Sequence, residues 1–290
     1  MWETITQHLE SVTGHSLGTP QIRSTGGGSI NQGYRLEFAD QSYFVKLNRA
    51  TQVEMFQAEA RGLDDIAATQ TIRVPRALCW GSTGQSAYLA LEWLDLGGNH
   101  LKGWQEMGRQ LARLHRSSHS AHGFGWSQNN TIGSTPQPND WEHDWVKFWS
   151  DRRIGYQLQL GQRNGGHFPH GKALMAAIPT LLANHTPKSC LVHGDLWSGN
   201  AALTPSGEPV IFDPAPYYGD REVDLAMTEL FGTFPSAFYQ GYNLEWELEP
   251  GYTQRKELYN LYHLLNHFNL FGGSYESSAN RTIDRLLSNL

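Results

Sequence analysis

Apolar residues at Val53, Phe56, Ala60, Leu63 and Ile66 recur at intervals of three and four, the period of one helix face. Trp104, Met107, Leu111, Leu114 and His115 repeat that spacing, and residues 1–12, Val223–Phe231 and Arg255–Leu270 read as further helices. Before residue 95 the chain is different. Gln21–Ser24, Tyr34–Phe38, Ser42–Leu47 and Ala87–Trp93 are short and rich in strand-forming residues, and Ala39-Asp40-Gln41 suits a hairpin turn between the second and third. Leu96-Gly97-Gly98-Asn99 breaks the pattern. The expected architecture is therefore α+β and bilobal, a small β-rich N-terminal lobe over residues 1–94 and a larger, mainly helical lobe over 95–290. Residues 123–140, dense in Gly, Pro, Asn, Ser and Thr, predict a long loop, and loops of that length in compact domains are usually functional or disordered.

Two short apolar segments, Cys190–Val192 and Pro209–Phe212, read as strands flanking a polar loop. That loop is His193-Gly194-Asp195-Leu196-Trp197-Ser198-Gly199-Asn200, and Asp213 follows the second strand. An Asp, an Asn five residues on and a later Asp at a strand end match the catalytic loop and metal-binding aspartate of kinase-like phosphotransferases. Asp195 is the candidate base, or the group that orients the accepting hydroxyl. Asn200 and Asp213 are candidate Mg2+ ligands, since magnesium takes hard oxygen donors and fills its remaining positions with water and substrate phosphate. Each residue alone could simply cap a turn; the order of the three favours chemistry.

Lys46 ends the apolar run Tyr43-Phe44-Val45, and Glu59 lies thirteen residues on in the predicted helix. A strand lysine held by a helix glutamate positions nucleotide phosphates in kinases, although a lone strand lysine is more often just solvated. The glycine cluster around Gly27, Gly28 and Ser29 would let backbone amides approach phosphate, or would equally serve as a plain hairpin loop. Glu92, Trp93 and Leu94 would join the lobes and offer backbone groups to an adenine. Together these assign ATP as a ligand. His115/His119 and His263/His267 have i,i+4 spacing without the glutamate of a zinc-protease motif, so no zinc is assigned to this chain of 13 histidines. His193 is expected to support the loop by hydrogen bonding.

Composition narrows the class without naming the chemistry. The 290 residues carry 39% hydrophobic and 17% charged side chains, an ordinary globular balance. A net charge of −6 argues against a nucleic-acid partner. Two cysteines make no disulfide framework, no signal-like N-terminus is visible, and no apolar run approaches the ~20 residues of a membrane span. A cytoplasmic enzyme with no membrane partner is the expectation.

The chain resembles the fructosamine-3-kinase (ketosamine-3-kinase) family, within the aminoglycoside phosphotransferase-like branch of the kinase fold. The resemblance rests on His193–Asn200, on Phe212-Asp213-Pro214-Ala215, on Gly219–Met227, on Met55–Ala60 around Glu59, and above all on Pro136–Trp145 running on to Arg152-Arg153-Ile154. It implies ATP-dependent phosphorylation of the 3-hydroxyl of a sugar joined to an amine as a ketoamine, free or on a protein lysine. The phosphorylated product then sheds its sugar, which repairs the glycated amine. It also makes Trp197 either a wall for the sugar, alongside Asp195, or a packing residue. Asp220, Glu222 and Asp224 would brace the catalytic loop. Gly194 and Pro214 stand where protein kinases carry Arg and Phe, no A-P-E segment follows, and Ser29 stands where some relatives carry Cys. The rival is another small-molecule kinase, acting on an aminoglycoside or choline-type alcohol.

Overall fold

Alternation along Ser42–Arg49 divides its side chains between two faces of a sheet. Tyr43, Val45 and Leu47 are buried on one face with Ile5 and Leu9 of the N-terminal helix, whereas Phe44 and Lys46 line a cavity on the other. The computed structural model describes residues 1–26 and 30–290. Its first part contains α1 (Trp2–Thr13), β1 (Gln21–Thr25), β2 (Gln32–Glu37), β3 (Ser42–Arg49), α2 (Val53–Ala68), β4 (Ala77–Thr83) and β5 (Ser86–Glu92). The strands form an antiparallel five-stranded sheet in the order β1-β2-β3-β5-β4. Register sets Lys46 opposite Gly33 on β2 and Leu89 on β5. The predicted opening helix covers one face of this sheet and α2 packs on the other. The sequence pattern expects strands after the second helix but gives the edge strand β4 no bounds. Among its side chains only Cys79 is buried, so its sequence lacks the apolar alternation of a covered strand.

The second part is mainly helical. It runs through α3 (Leu101–Ser117), a hairpin of β6 (Asn130–Ile132) and β7 (Thr135–Gln137), α4 (Trp145–Phe148), a π-helical segment (Trp149–Gly155), α5 (Tyr156–Arg163) and α6 (Gly171–Leu181). Then come β8 (Cys190–Val192), β9 (Ala201–Leu203), β10 (Pro209–Ile211), β11 (Tyr217–Gly219), α7 (Glu222–Thr228), α8 (Ser236–Glu245), α9 (Tyr252–Phe271) and α10 (Tyr275–Ser288). The α+β expectation agrees with this order. Phe56, Leu63, Leu89 and Leu91 share one apolar cluster with Met107, Leu111, Leu196 and Phe238, so a continuous core joins the sheet to the helices. A second cluster, rich in aromatic rings such as Trp149, Tyr259 and Tyr262, fills the helical part. Among the described residues no helix is long and apolar enough to cross a membrane.

Two local readings are corrected. The 123–140 segment is not one loop but carries the β6–β7 hairpin, whose buried polar residues Asn130, Gln137 and Asn139 look like loop composition until their partners are seen. The helix expected over Val223–Phe231 stops at Thr228, whose hydroxyl bonds back to the Leu225 carbonyl.

Candidate active site

The polar loop leaves β8 and enters β9, and each flanking strand has its own antiparallel partner, β11 for β8 and β10 for β9. The loop is stitched across these pairs. The Ala215 amide donates to the His193 carbonyl (2.9 Å) and the Phe212 amide to the Asn200 carbonyl (3.0 Å). Gly194 has φ of 81°, and a Cβ there would lie 2.1 Å from the Ala215 oxygen, so only glycine fits. Asp213 also has a left-handed backbone, φ 58°, a conformation short polar side chains tolerate better than most. This turn brings its carboxylate back beside the loop.

Asn200 Nδ2 donates to the Asp195 carbonyl (2.9 Å) and lies 3.3 Å from its carboxylate. The amide nitrogen is thus committed and Oδ1 is the atom left for a cation. His193, fully buried, donates from Nε2 to the Phe212 carbonyl (3.0 Å) and accepts the Asp195 amide at Nδ1 (3.3 Å). Burial pushes the His193 pKa down, which keeps the ring neutral as those two bonds require. Burial, with the Asp213 charge adding to it, raises the Asp195 pKa to about 7. A carboxylate poised there can both hold and release a proton near neutral pH.

Beneath the loop, Asp224 accepts the amides of His193 (2.7 Å) and Gly194 (2.8 Å) and the Nε2–H of His115 (3.0 Å). Burial alone would raise the Asp224 pKa; the bonds from His115 and the loop amides overcome it and hold the carboxyl below its usual range. Its stabilisation is therefore present above the unfolded carboxylate pKa of ~3.9 and is lost only as the pH falls through the depressed folded value. Replacing Asp224 by Ala strands these buried donors, and at pH 7 this should cost about 2–4 kcal/mol. Thermal denaturation from pH 4 to 8 checks this, and a melting point unchanged at pH 7 would refute the bracing role. Asp220 and Glu222 do not touch the loop. Asp220 accepts from His185 and Tyr259, and Glu222 takes a bidentate contact from Arg255 (2.7 Å each).

Lys46 is buried rather than solvated. Its Nζ reaches Glu59 Oε1 on α2 and Asp213 Oδ1 from the other half of the molecule, both at 2.5 Å. Burial would lower the ammonium pKa, but the Asp213 and Glu59 carboxylates reverse this and raise it, so the cation is permanent. Lys46, Glu59, Asp195, Trp197, Asn200 and Asp213 all line one cavity of about 400 Å³. Trp197 is 37% exposed, its ring packed beside Gly199. Gly27, Gly28 and Ser29 lie outside the described residues. Just beyond them Asn48 on β3 donates to Asn31 Oδ1 (2.7 Å), a tether that the sequence did not suggest. Glu92, Trp93 and Leu94 do not line this cavity. Glu92 accepts the Arg76 amide, and the Trp93 indole donates to Asp95 while Arg35 stacks on its ring. Sequence reasoning also missed a ring cluster that lines the cavity, Phe231, His267, Phe271 and Tyr275, spread over loop, α9 and α10.

The sequence pattern of the family described as fructosamine kinase matches residues 1–289. The chain belongs to the fructosamine kinase family. It is 56% identical over 287 residues to the probable ketoamine kinase of Synechocystis sp., covering 99% of this chain and 97% of that one. It is 43% identical over 280 residues to the chloroplastic protein-ribulosamine 3-kinase of Arabidopsis thaliana, covering 94% and 85%. The crystal structure of a candidate fructosamine-3-kinase from Haemophilus somnus superimposes with a TM-score of 0.93 at 33% identity, over 99% of this chain and 98% of that one. An aminoglycoside phosphotransferase in ternary complex with ADP and hygromycin B aligns with a TM-score of 0.64 at 16% identity over 98% of both chains, which shows the shared kinase-like fold alone. This fructosamine kinase family member is accordingly an ATP-using phosphotransferase, and the rival reading as an aminoglycoside or choline-type kinase is not favoured.

Proposed function

We propose that the protein phosphorylates the 3-hydroxyl of a ketoamine sugar of the fructosamine or ribulosamine type, with ATP as donor and Mg2+ as the resident cation, and so starts removal of the sugar from free or lysine-borne glycated amines. The observation that carries this reading is the convergence of Lys46, Asp195, Asn200 and Asp213 on one cavity in a member of this family. The donor set fits magnesium, since Asn200 Oδ1 and the Asp213 carboxylate are hard oxygens beside a permanent cation. When bound, that metal would neutralise charge on the β- and γ-phosphates.

The chain's own groups supply the rest. Lys46, oriented by Glu59, holds phosphate oxygens. Asp195 holds the accepting hydroxyl in line and takes its proton at the carboxylate. Trp197 offers its exposed ring to the C–H face of the sugar. Positioning and charge stabilisation are the main catalytic terms, because phosphoryl transfer asks little covalent chemistry of the protein. Segment 92–94 does not line the cavity itself, but Trp93 packs beside Phe44, which does; this segment and the glycine cluster are proposed to contact the outer, adenine end of the nucleotide, and the lobes to divide at 94–95. ATP consumption should be measured against fructosamines, ribulosamines, erythrulosamines, glycated lysine in peptides and an aminoglycoside, with the phosphate located by NMR. Turnover with ketoamines and phosphate on O3 is expected. Turnover confined to the aminoglycoside, or phosphate on another carbon, would overturn the proposal.

A further inference from the structure

Arg153 is fully buried, and among the described residues its Nε has no hydrogen-bond partner. It donates instead from Nη1 to the Pro138 carbonyl (2.7 Å) and from Nη2 to Asn139 Oδ1 (2.8 Å), and it lies over the Tyr217 ring at 4.0 Å. A buried cation in such a setting is costly, and these bonds, with one to the Arg152 carbonyl and the rings of Phe148 and Tyr262, offset that cost. What they hold is the β6–β7 hairpin, whose three-residue strands are too short to stand alone.

The network runs from there toward the catalytic turn. Asn139 Nδ2 and Gln137 Nε2 both donate to Asn130 Oδ1 (2.8 Å each). Gln137 Nε2 also donates to the Ala215 carbonyl (3.0 Å), and Asn130 Nδ2 to the Pro216 carbonyl (2.9 Å). The hairpin is thereby fastened to the backbone just after Asp213. Its tip faces the cavity. Gly133, φ 60°, sits so that a Cβ would lie 2.9 Å from Leu270 Cδ1 on α9 and 3.6 Å from Ile30 Cγ1 beyond the glycine cluster. Residues 130–133 share the cavity with Asp195 and Trp197, whereas segment 92–94 does not. The hairpin therefore borders the cleft in which the hydroxyl must meet the base.

We infer that the β6–β7 hairpin is the acceptor wall of this enzyme, and that Asn130 and Gln137 are positioning residues that set its distance from Asp195 by gripping the turn after Asp213. The inference rests on the proposed ketoamine acceptor for its substrate, but not for its geometry. A sugar hydroxyl reaches the base only if the wall behind it stands at one fixed depth. The hydrogen bonds supply that depth, and the absence of a side chain at Gly133 lets the tip close against Leu270 on α9.

The test separates KM from kcat for each substrate. Gly133→Ala should raise the KM for the acceptor about tenfold and leave the KM for ATP within about twofold. Because the added methyl group meets Leu270, the double variant Gly133→Ala/Leu270→Ala should recover the part of the acceptor KM that this clash costs, the remainder being the strain of a side chain at φ 60°. Asn130→Ala, which frees the Pro216 carbonyl, should raise the acceptor KM by a similar factor and lower kcat. Partial unfolding would instead lower the active fraction and so kcat, without moving either KM. Unchanged acceptor KM in Gly133→Ala and Asn130→Ala, or parallel rises in both KM values, would overturn the inference. Wild-type enzyme that uses no ketoamine would overturn the substrate reading separately; the same KM split is then required with whichever alcohol it phosphorylates.

Discussion

Replacing Asp195 by Asn is expected to lower kcat by about 10²- to 10⁴-fold, the range for a lost acid–base group. ATP affinity should change little, because the proposed role of Asp195 is toward the accepting hydroxyl and not the triphosphate. The variant keeps the shape of the loop, since Asn200 still has the residue 195 carbonyl to donate to. Wild-type kcat/KM should fall as the pH drops below about 7, where Asp195 takes up its proton. The residual rate of the variant should not follow that limb. Near-normal turnover in Asp195→Asn would remove this residue from the mechanism.

The same substitution should stabilise the ligand-free protein. The Asp195 pKa is raised to about 7 in the fold, against ~3.9 for an unfolded aspartate. Below the lower value both states carry the proton and the group is neutral in effect. As the pH climbs between the two values the unfolded chain ionises first, so the folded state loses stability, and above the upper value the loss is constant. It amounts to a few kcal/mol at most, on the order of 1.4 kcal/mol per pKa unit. Asp195→Asn should therefore melt higher than wild type at pH 8 in metal-free, nucleotide-free buffer, and the gap should close toward pH 4. Function holds a charge where folding would prefer none.

Lys46→Met should be the most damaging change in the N-terminal half. Turnover should fall by about 10²- to 10³-fold with loss of the cation beside the phosphates. Stability should fall too, because two carboxylates lose the ammonium between them at 2.5 Å. Breaking a buried pair by removing one member costs about 3–5 kcal/mol, less here to the extent that Asp213 is open to solvent and Glu59 takes up a proton. Since an unpaired buried carboxylate ionises less readily, the deficit should shrink as the pH is lowered toward 5. Lys46→Met/Glu59→Gln should recover part of the stability and none of the turnover. Denaturant melts at two pH values and steady-state rates measure both, and a single variant as stable as wild type at pH 8 would contradict the buried bridge.

Much of the site could be read from the chain because its parts are local. His193 to Asn200 is one loop, Asp213 follows the adjoining strand pair, and the Lys46–Glu59 spacing is that of a strand feeding a helix. The hairpin inside 123–140 could not be read. Its strands are stable only through Arg153, Asn139 and the carbonyls of Ala215 and Pro216, more than seventy residues away from Asn130 for the last pair. Nor could the sequence tell Asp224 from Asp220 and Glu222 as the brace of the loop. All three are buried acids close together in the chain, and only the tertiary placement of Asp224 beside His115 and the loop decides which carboxylate meets the loop amides.

The amino-acid sequence by itself determined the α+β order, the pairing of Lys46 with Glu59 and the grouping of Asp195, Asn200 and Asp213, because periodicity and short spacings act over one element or one turn. Only the tertiary structure decided that Lys46 also grips Asp213, that segment 92–94 does not line the cavity, and that a hairpin and four aromatic rings do. Those outcomes depend on hydrogen bonds and ring contacts between residues far apart in the chain, whose partners no local pattern of hydrophobic and polar positions specifies.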